Sequence, residues 1–185
     1  ISLMPKTAPV DADAQAFLTA AGITDPTISG AINTLVVQMK ADNIWTKMKA
    51  IYPMVGGTAS THKWNLKDPR DLDAAFRLTF FGGIIHSANG IIPNGTNGYV
   101  DTNLNALSSL NQNNGHVSFY SRKNAISLSP SVACFDLLRY IALYVRYNTN
   151  EILGTYSTTG ATYSNKTIAN SLGLSVVTRT ASNVT

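Results

Sequence analysis

Glutamate occurs once in the 185 residues, at Glu151, and cysteine once, at Cys134. Glycoside hydrolysis ordinarily needs two carboxylates facing one cleft. A lone glutamate in the polar turn "NTNEILG", with Asp101 and Asp136 isolated in the β-rich part, does not supply such a pair. A single thiol excludes an internal disulfide and any zinc cage built on cysteines. It lies in the apolar run Val132-Ala133-Cys134-Phe135, which predicts a buried, inert thiol. Charge is scarce too: 13% of residues are Asp, Glu, Lys or Arg, about half the usual share. Lys47/Lys49 and Arg122-Lys123 are isolated clusters, and no basic run interleaves with aromatics, so no nucleic-acid footprint is expected. No apolar stretch approaches the roughly 20 residues of a membrane span, and no secretory leader is evident. The chain begins at Ile1 and stops after "SVVTRTASNVT", from which one or both ends are expected to be cut.

What is present falls into two halves. Residues 1–60 read as a helical lead of two to three short amphipathic helices. Asp11 or Asp13 caps a segment whose Ala14, Phe17, Leu18 and Ala21 share one face, and Gly22 ends it. In "ITDPTISGAINTLVVQMKADNIW", Asp25 is the expected cap and Pro26 the first helical residue. Ile28, Ile32, Leu35 and Met39 form its apolar stripe. A further turn or two carries Ile44, Trp45 and Met48, with Asp42 near the start and Lys47 and Lys49 near the end.

Residues 61–185 change to period two. "HVSFYS" places Val117 and Phe119 on one face. "YIALYVRY" places Ile141, Leu143 and Val145 on one face and Tyr140, Tyr144 and Arg146 on the other. "LGLSVVTR" supplies Leu172, Leu174 and Val176. The clusters "SANGIIPNGTNG", "NQNNG", "NTN" and "STTG" lie between strands and suit hairpins. The expected fold is mainly β with an α-helical N-terminal part: an antiparallel β-sandwich or jelly roll, incomplete at its C-terminus.

The stretch "STHKWNLKDPRDLDAAFRLTFFGG" concentrates His62, Asp68, Arg70, Asp71 and Asp73. Asp68-Pro69 repeats Asp25-Pro26, and Asp71 three residues later suits a helical start, so these residues read as caps and connectors of a hinge. His62, His86 and His116 show no metal-ligand spacing and read as hydrogen-bonded strand-end residues. No GxSxG elbow accompanies the serines. "DTNLNALSSLNQ" fits the first three EF-hand positions at Asp101, Asn103 and Asn105. It then places Ala106 where glycine is needed and Gln112 where a bidentate glutamate is needed. A calcium site of another build in a sandwich loop stays open; no other cofactor is expected. Tyr120, Tyr140, Tyr144 and Tyr147 lie in or beside strands. With Arg146, Tyr120, Tyr140 and Tyr144 form the candidate glycan-stacking or subunit-interface set.

The segment from "DADAQAFLTAAGITDPT" through "AIYPMVGGTASTHKWNLKDPRDLDAAFRLTFFGG" resembles a recurrent type of phage virion structural protein, found especially in phages and prophages of Bacteroidota. There a short helical lead precedes a concanavalin-like, laminin-G-like sandwich. "PNGTNGYVDTNLN", "LNQNNGHVSFYSR" and "TRTASN" carry the likeness through the β half. The resemblance implies a fibre, spike, neck or tail appendage of the virion, an extracellular particle. Such a protein acts through assembly with itself and other virion proteins, with glycan recognition as a second role and no catalytic residue to carry over. Such sandwiches continue for several strands beyond a "TRTASN"-like segment, so the resemblance also implies open edges that missing residues or a partner would fill.

Overall fold

A computed structural model describes residues 9–135, 140–148, 151–157, 164–180 and 183–184. The chain divides into two compact units, Ile1–Leu104 and Asn105–Thr185. The division falls well after the change of periodicity near residue 60, because the first β-ribbon belongs with the helices.

In the first unit, α1 (Ala12–Ala21) starts where the Asp11 carboxylate accepts the Asp13 N–H at 3.0 Å, and stops at Gly22 in the left-handed conformation. α2 (Pro26–Ala41) starts where Asp25 accepts the N–H groups of Thr27 and Ile28 at 2.8 and 3.0 Å. Both starts lie where capping chemistry puts them. Ala14, Phe17, Leu18 and Ala21 are buried as the periodicity requires. On α2 the buried pair is Ile32 and Val36, while Leu35 faces solvent. Four residues advance the helix by about 40° beyond a full turn and keep Val36 under Ile32; three residues rotate Leu35 about 60° the other way. The expected continuation through Met48 shrinks to one 3₁₀ turn, Trp45–Lys47. Asp42 closes α2 instead of opening a new helix, and Asn43 beside it is left-handed (φ 57°). Trp45 nevertheless joins the core with Leu66, and the Lys67 ammonium sits 3.8 Å from its ring centre.

Asn65 ties the rest of this unit together. Buried, it accepts the N–H groups of Ile51 and Lys67 at 3.0 Å each and donates to the Ala75 carbonyl at 3.0 Å. Leu66 N–H adds a bond to Ile51 O, and Leu78 N–H one to Lys63 O. α3 (Ala59–His62) precedes this knot, closed by a reciprocal Thr58–Thr61 capping box.

A β-ribbon follows. β1 (Thr79–Phe81) pairs antiparallel with β4 (Tyr99–Asp101), and β2 (Ile84–Ser87) with β3 (Gly90–Pro93). Gly82-Gly83 interrupts one strand and Asn94–Gly98 the other. There Asn94 Oδ1 accepts three backbone N–H groups, from Thr96, Asn97 and Gly98, at 3.0, 3.1 and 3.0 Å. A Cβ on Gly83 would lie 2.2 Å from Asn94 Nδ2, so the crossing requires glycine.

The second unit opens with α4 (Ala106–Ser109), capped by Asn105. Among the described residues seven strands follow: β5 (Asn114–Ser121), β6 (Val132–Phe135), β7 (Tyr140–Tyr147), β8 (Glu151–Ser157), β9 (Ser164–Thr167), β10 (Gly173–Thr180) and β11 (Asn183–Val184). They form two antiparallel sheets ordered β11-β10-β5 and β6-β7-β8-β9. β10 lies over β8 and β7: a Cβ on Gly154 would sit 2.8 Å from Val177 Cγ2. Ile141, Leu143, Val145 and Tyr156 are buried, and the Tyr156 hydroxyl donates to Asn111 O at 2.8 Å. Helices followed by antiparallel strands in small sheets are therefore present. Among the described residues the strands do not close into a sandwich or jelly roll. The "STTG" turn lies outside the described residues except for Ser157.

Asn65→Ala should lower the unfolding free energy of the first unit by roughly 3 kcal/mol or more, since it strands two N–H groups and a carbonyl; a denaturant titration measures this. In the second unit, Gly154→Ala and Val177→Ala should each destabilise by about 1–3 kcal/mol. Their double variant should lose less than the sum, because the smaller side chain makes room for the added methyl.

Candidate functional site

The charged stretch around Asp68 is a set of ion pairs. Arg70 folds back on Asp68 with Nε and Nη2 on the two carboxylate oxygens. That grip occupies the carboxylate expected to cap a helix, and no helix starts there; the 3₁₀ turn Asp73–Ala75 begins after Leu72 without a side-chain cap. Asp71 bridges Lys63 (2.7 Å) and Arg77 (2.9 Å), and Arg77 also reaches Asp73 (2.6 Å). The Lys63 ammonium, then the Arg77 guanidinium, hold Asp71 below the ordinary carboxylate range, and Arg70 does the same for Asp68. A general acid at neutral pH needs the opposite shift. Lys63 and Arg77 also line an open groove of about 370 Å³ with Ser60, Thr79 and Phe80, their charges already engaged by carboxylates.

The EF-hand-like residues have turn duties. Asp101 Oδ1 accepts the Asn103 N–H, the Asn103 amide donates to Arg77 O at 2.7 Å, and Asn105 caps α4. Among the described residues no three His, Cys, Asp or Glu side chains group as a metal site. Glu151 opens β8 in the second unit while Asp101 ends β4 in the first; Asp136 lies outside the described residues. Cys134 is half-buried where a buried thiol was expected, because β6 is an edge strand.

The four candidate residues divide between two sheets. Tyr140, Tyr144 and Arg146 belong to β7, and Tyr120 to β5 of the other sheet. Tyr140 packs its ring on Phe135 of the neighbouring β6, 4.5 Å between centres. Arg146 Nη1 donates to Asn124 Oδ1 at 2.6 Å. Tyr144 meets Tyr147 edge-on, 5.3 Å between centres, although strict alternation would send them to opposite faces. A bulge brings them together: Tyr144 pairs with Leu153 and Tyr147 with Glu151, so three steps on β7 match two on β8. Tyr144, Tyr147, Leu128 and Leu153 line a pocket of about 260 Å³. Sequence alternation missed Tyr147 as a pocket residue, because no signal in "YVRYNTN" marks the bulge.

Tyr120 is 65% exposed and stands opposite Leu174, which is 66% exposed. Val176 is exposed on the same row of β10, Leu172 is exposed just before the strand, and Val177 turns inward. The apolar residues that the alternation of "LGLSVVTR" singles out thus face outward, because register places Val177 opposite Val117 on the inner face. A second exposed apolar strip runs along the ribbon, where Phe81 stacks on Tyr99 at 4.8 Å and Ile85 pairs with Ile92. No Asp, Glu, Lys or Arg occurs between Arg77 and Asp101. No helix among the described residues is long and apolar enough to cross a membrane.

Comparison of the chain with protein-family models, with curated proteins and with solved structures finds no match.

Asp71→Asn should lower the melting temperature by leaving Lys63 and Arg77 without their shared carboxylate. Most of the difference from the parent should disappear near 1 M NaCl, where the Debye length is about 3 Å. Melting curves at low and high salt check this.

Proposed function

We propose that this chain is a non-enzymatic structural component of a phage virion, a fibre, spike, neck or tail appendage acting through subunit assembly. The observation that carries the reading is the outward apolar row Leu174 and Val176 beside Tyr120, with Leu172 exposed just before the strand. Exposed apolar rows of this kind mark surfaces that meet a partner. The sparse charge acts the same way, since few like charges oppose the approach of copies. The sheets of the second unit belong, in this proposal, to a concanavalin-like sandwich whose edge strands β5 and β6 are met by further strands or by a neighbouring subunit. The resemblance of the segments around "AIYPMVGGTASTHKWNLKDPRDLD" to phage structural proteins supplies the particle.

Two measurements test this. Mass spectrometry of density-purified phage particles should find the chain's peptides at a fixed stoichiometry; absence from particles would sink the virion assignment. Analytical ultracentrifugation should show the parent chain as an oligomer and Leu174→Lys shifted towards monomer, with unchanged circular dichroism. A parent chain that stays monomeric at high concentration would refute assembly through this row.

A second reading rests on the tyrosine pocket: a carbohydrate-binding module for receptor recognition or adhesion. Paired tyrosine rings offer a stacking surface to a sugar, and Arg146, on the same strand and bonded to Asn124, a polar group. Binding to host polysaccharide should then fall at least tenfold in Tyr144→Ala and Tyr147→Ala. Undiminished binding after Tyr120, Tyr140 and Tyr144 are replaced by alanine would remove the assigned site.

A further inference from the structure

His62 is fully buried at the end of α3, and its imidazole is held at both nitrogens. Its Nε2 faces the backbone N–H of Gly57 at 3.2 Å. Its Nδ1 lies 3.0 Å from Nδ1 of His86 on β2. A backbone N–H only donates, so His62 Nε2 carries no hydrogen and its Nδ1 does. His86 Nδ1 must then be the acceptor, with its hydrogen on Nε2. Two neutral imidazoles allow one tautomer each and satisfy both hydrogen bonds.

The pair joins three pieces of backbone. Gly57 belongs to a left-handed glycine pair (φ 89° and 81°) packed on the ribbon's turn; a Cβ there would lie 3.2 Å from Ala88 N. His86 sits one residue before Ser87, which starts that turn, with its ring against the Phe80 edge, 4.6 Å between centres. α3, the Gly56-Gly57 segment and the β2–β3 hairpin therefore share one short chain of hydrogen bonds.

That chain accommodates no further proton. The Gly57 bond needs His62 Nε2 bare, and the His62–His86 bond needs one Nδ1 bare. Three ring hydrogens distributed over four nitrogens leave only one bare. We propose that the His62–His86 pair is a proton-sensitive latch: one added proton breaks either the Gly57 bond or the inter-histidine bond, releasing the Gly56-Gly57 segment from its hold on α3 and the hairpin.

The surroundings leave the two rings to each other. Lys63, the next residue, turns its ammonium to Asp71, and Arg77 ahead of β1 is engaged by Asp71 and Asp73. On the segment before the glycines, the Tyr52 hydroxyl donates to Phe76 O at 2.7 Å, and Asp101 of β4 acts on that hydroxyl. Among the described residues, His86 is the one titratable group that acts on His62. Burial, and then the neighbouring His86, hold His62 below its ordinary 6.5; burial holds His86 below it too. A depressed folded-state value means the unfolded chain binds more protons. The latch is therefore fully stabilising above about pH 6.5 and weakens as pH falls from there through the folded-state values.

The test uses the whole chain. Long-range ¹H–¹⁵N spectra at pH 7.5 should show His62 as the Nδ1–H and His86 as the Nε2–H tautomer. Amide exchange, corrected for intrinsic rates, should show Gly57 protection falling at least tenfold as the pair titrates, while Val36 in the helical core keeps its protection. His62→Gln, whose amide can accept from Gly57 and donate to His86 without titrating, should keep Gly57 protected at pH 5. If that variant does not fold, the parent measurements still decide. His62 as the Nε2–H tautomer, Gly57 protection indifferent to the titration, or simultaneous loss at Gly57 and Val36 would each overturn the latch.

Discussion

The first unit depends on one primary amide. Asn65 has two acceptor sites and two donors; its oxygen takes the N–H groups 14 residues earlier and two residues later, and its nitrogen gives to the Ala75 carbonyl, at 3.0 Å each, and to the Lys49 carbonyl at 3.5 Å. Backbone outside helices and sheets must find partners somewhere, and a buried loop is costly when it cannot. Here the segment from Met48 to Leu78 has little regular structure, yet it crosses the core carrying Leu66. The amide makes that path affordable by standing in for the sheet the segment lacks.

The helical lead was legible because its signals are local. Asp11, Asp25, Pro26 and Gly22 act on backbone groups within four residues, and Phe17 and Leu18 follow a period set by the helix itself. The same signal misled at Asp68-Pro69. Asp68 finds Arg70 two residues on, and a guanidinium held on both carboxylate oxygens commits it to that neighbour rather than to the start of a helix. Local patterns predict what a residue can do; the nearest competitor decides what it does. Asn65 itself gave no signal, because its partners Ile51 and Ala75 lie 14 and 10 residues away in sequence. The His62–His86 pair was hidden for the same reason, 24 residues apart with no spacing that a motif could register.

In the β unit, parity was legible and side was not. Alternation correctly separated Ile141, Leu143 and Val145 from the Tyr140 and Tyr144 row. It could not say that one extra residue before Tyr147 would turn that ring back beside Tyr144. Nor could it say which row of β10 meets the neighbouring sheet, since "LGLSVVTR" offers leucines on one row and a valine on the other. Pairing decides both, and pairing is a long-range property.

The outward row of β10 has a cause in the residues beneath it. Tyr156 fills the space between the sheets, its hydroxyl bonded to Asn111 O and its ring pressed so near β5 that a Cβ on Gly115 would lie 2.4 Å from Oη. Val177 already occupies the room over Gly154. The pairing with β5 puts Ser175 and Val177 on the row that faces this layer and leaves Leu174 and Val176 on the row that faces away. Fully covering each such side chain is worth about 1.5–3 kcal/mol before the entropy of association is subtracted. A sheet built this way gains by meeting a second surface, and the row's shortage of charge leaves little to oppose the meeting. Leu174 and Val176 are the side chains such a surface would cover.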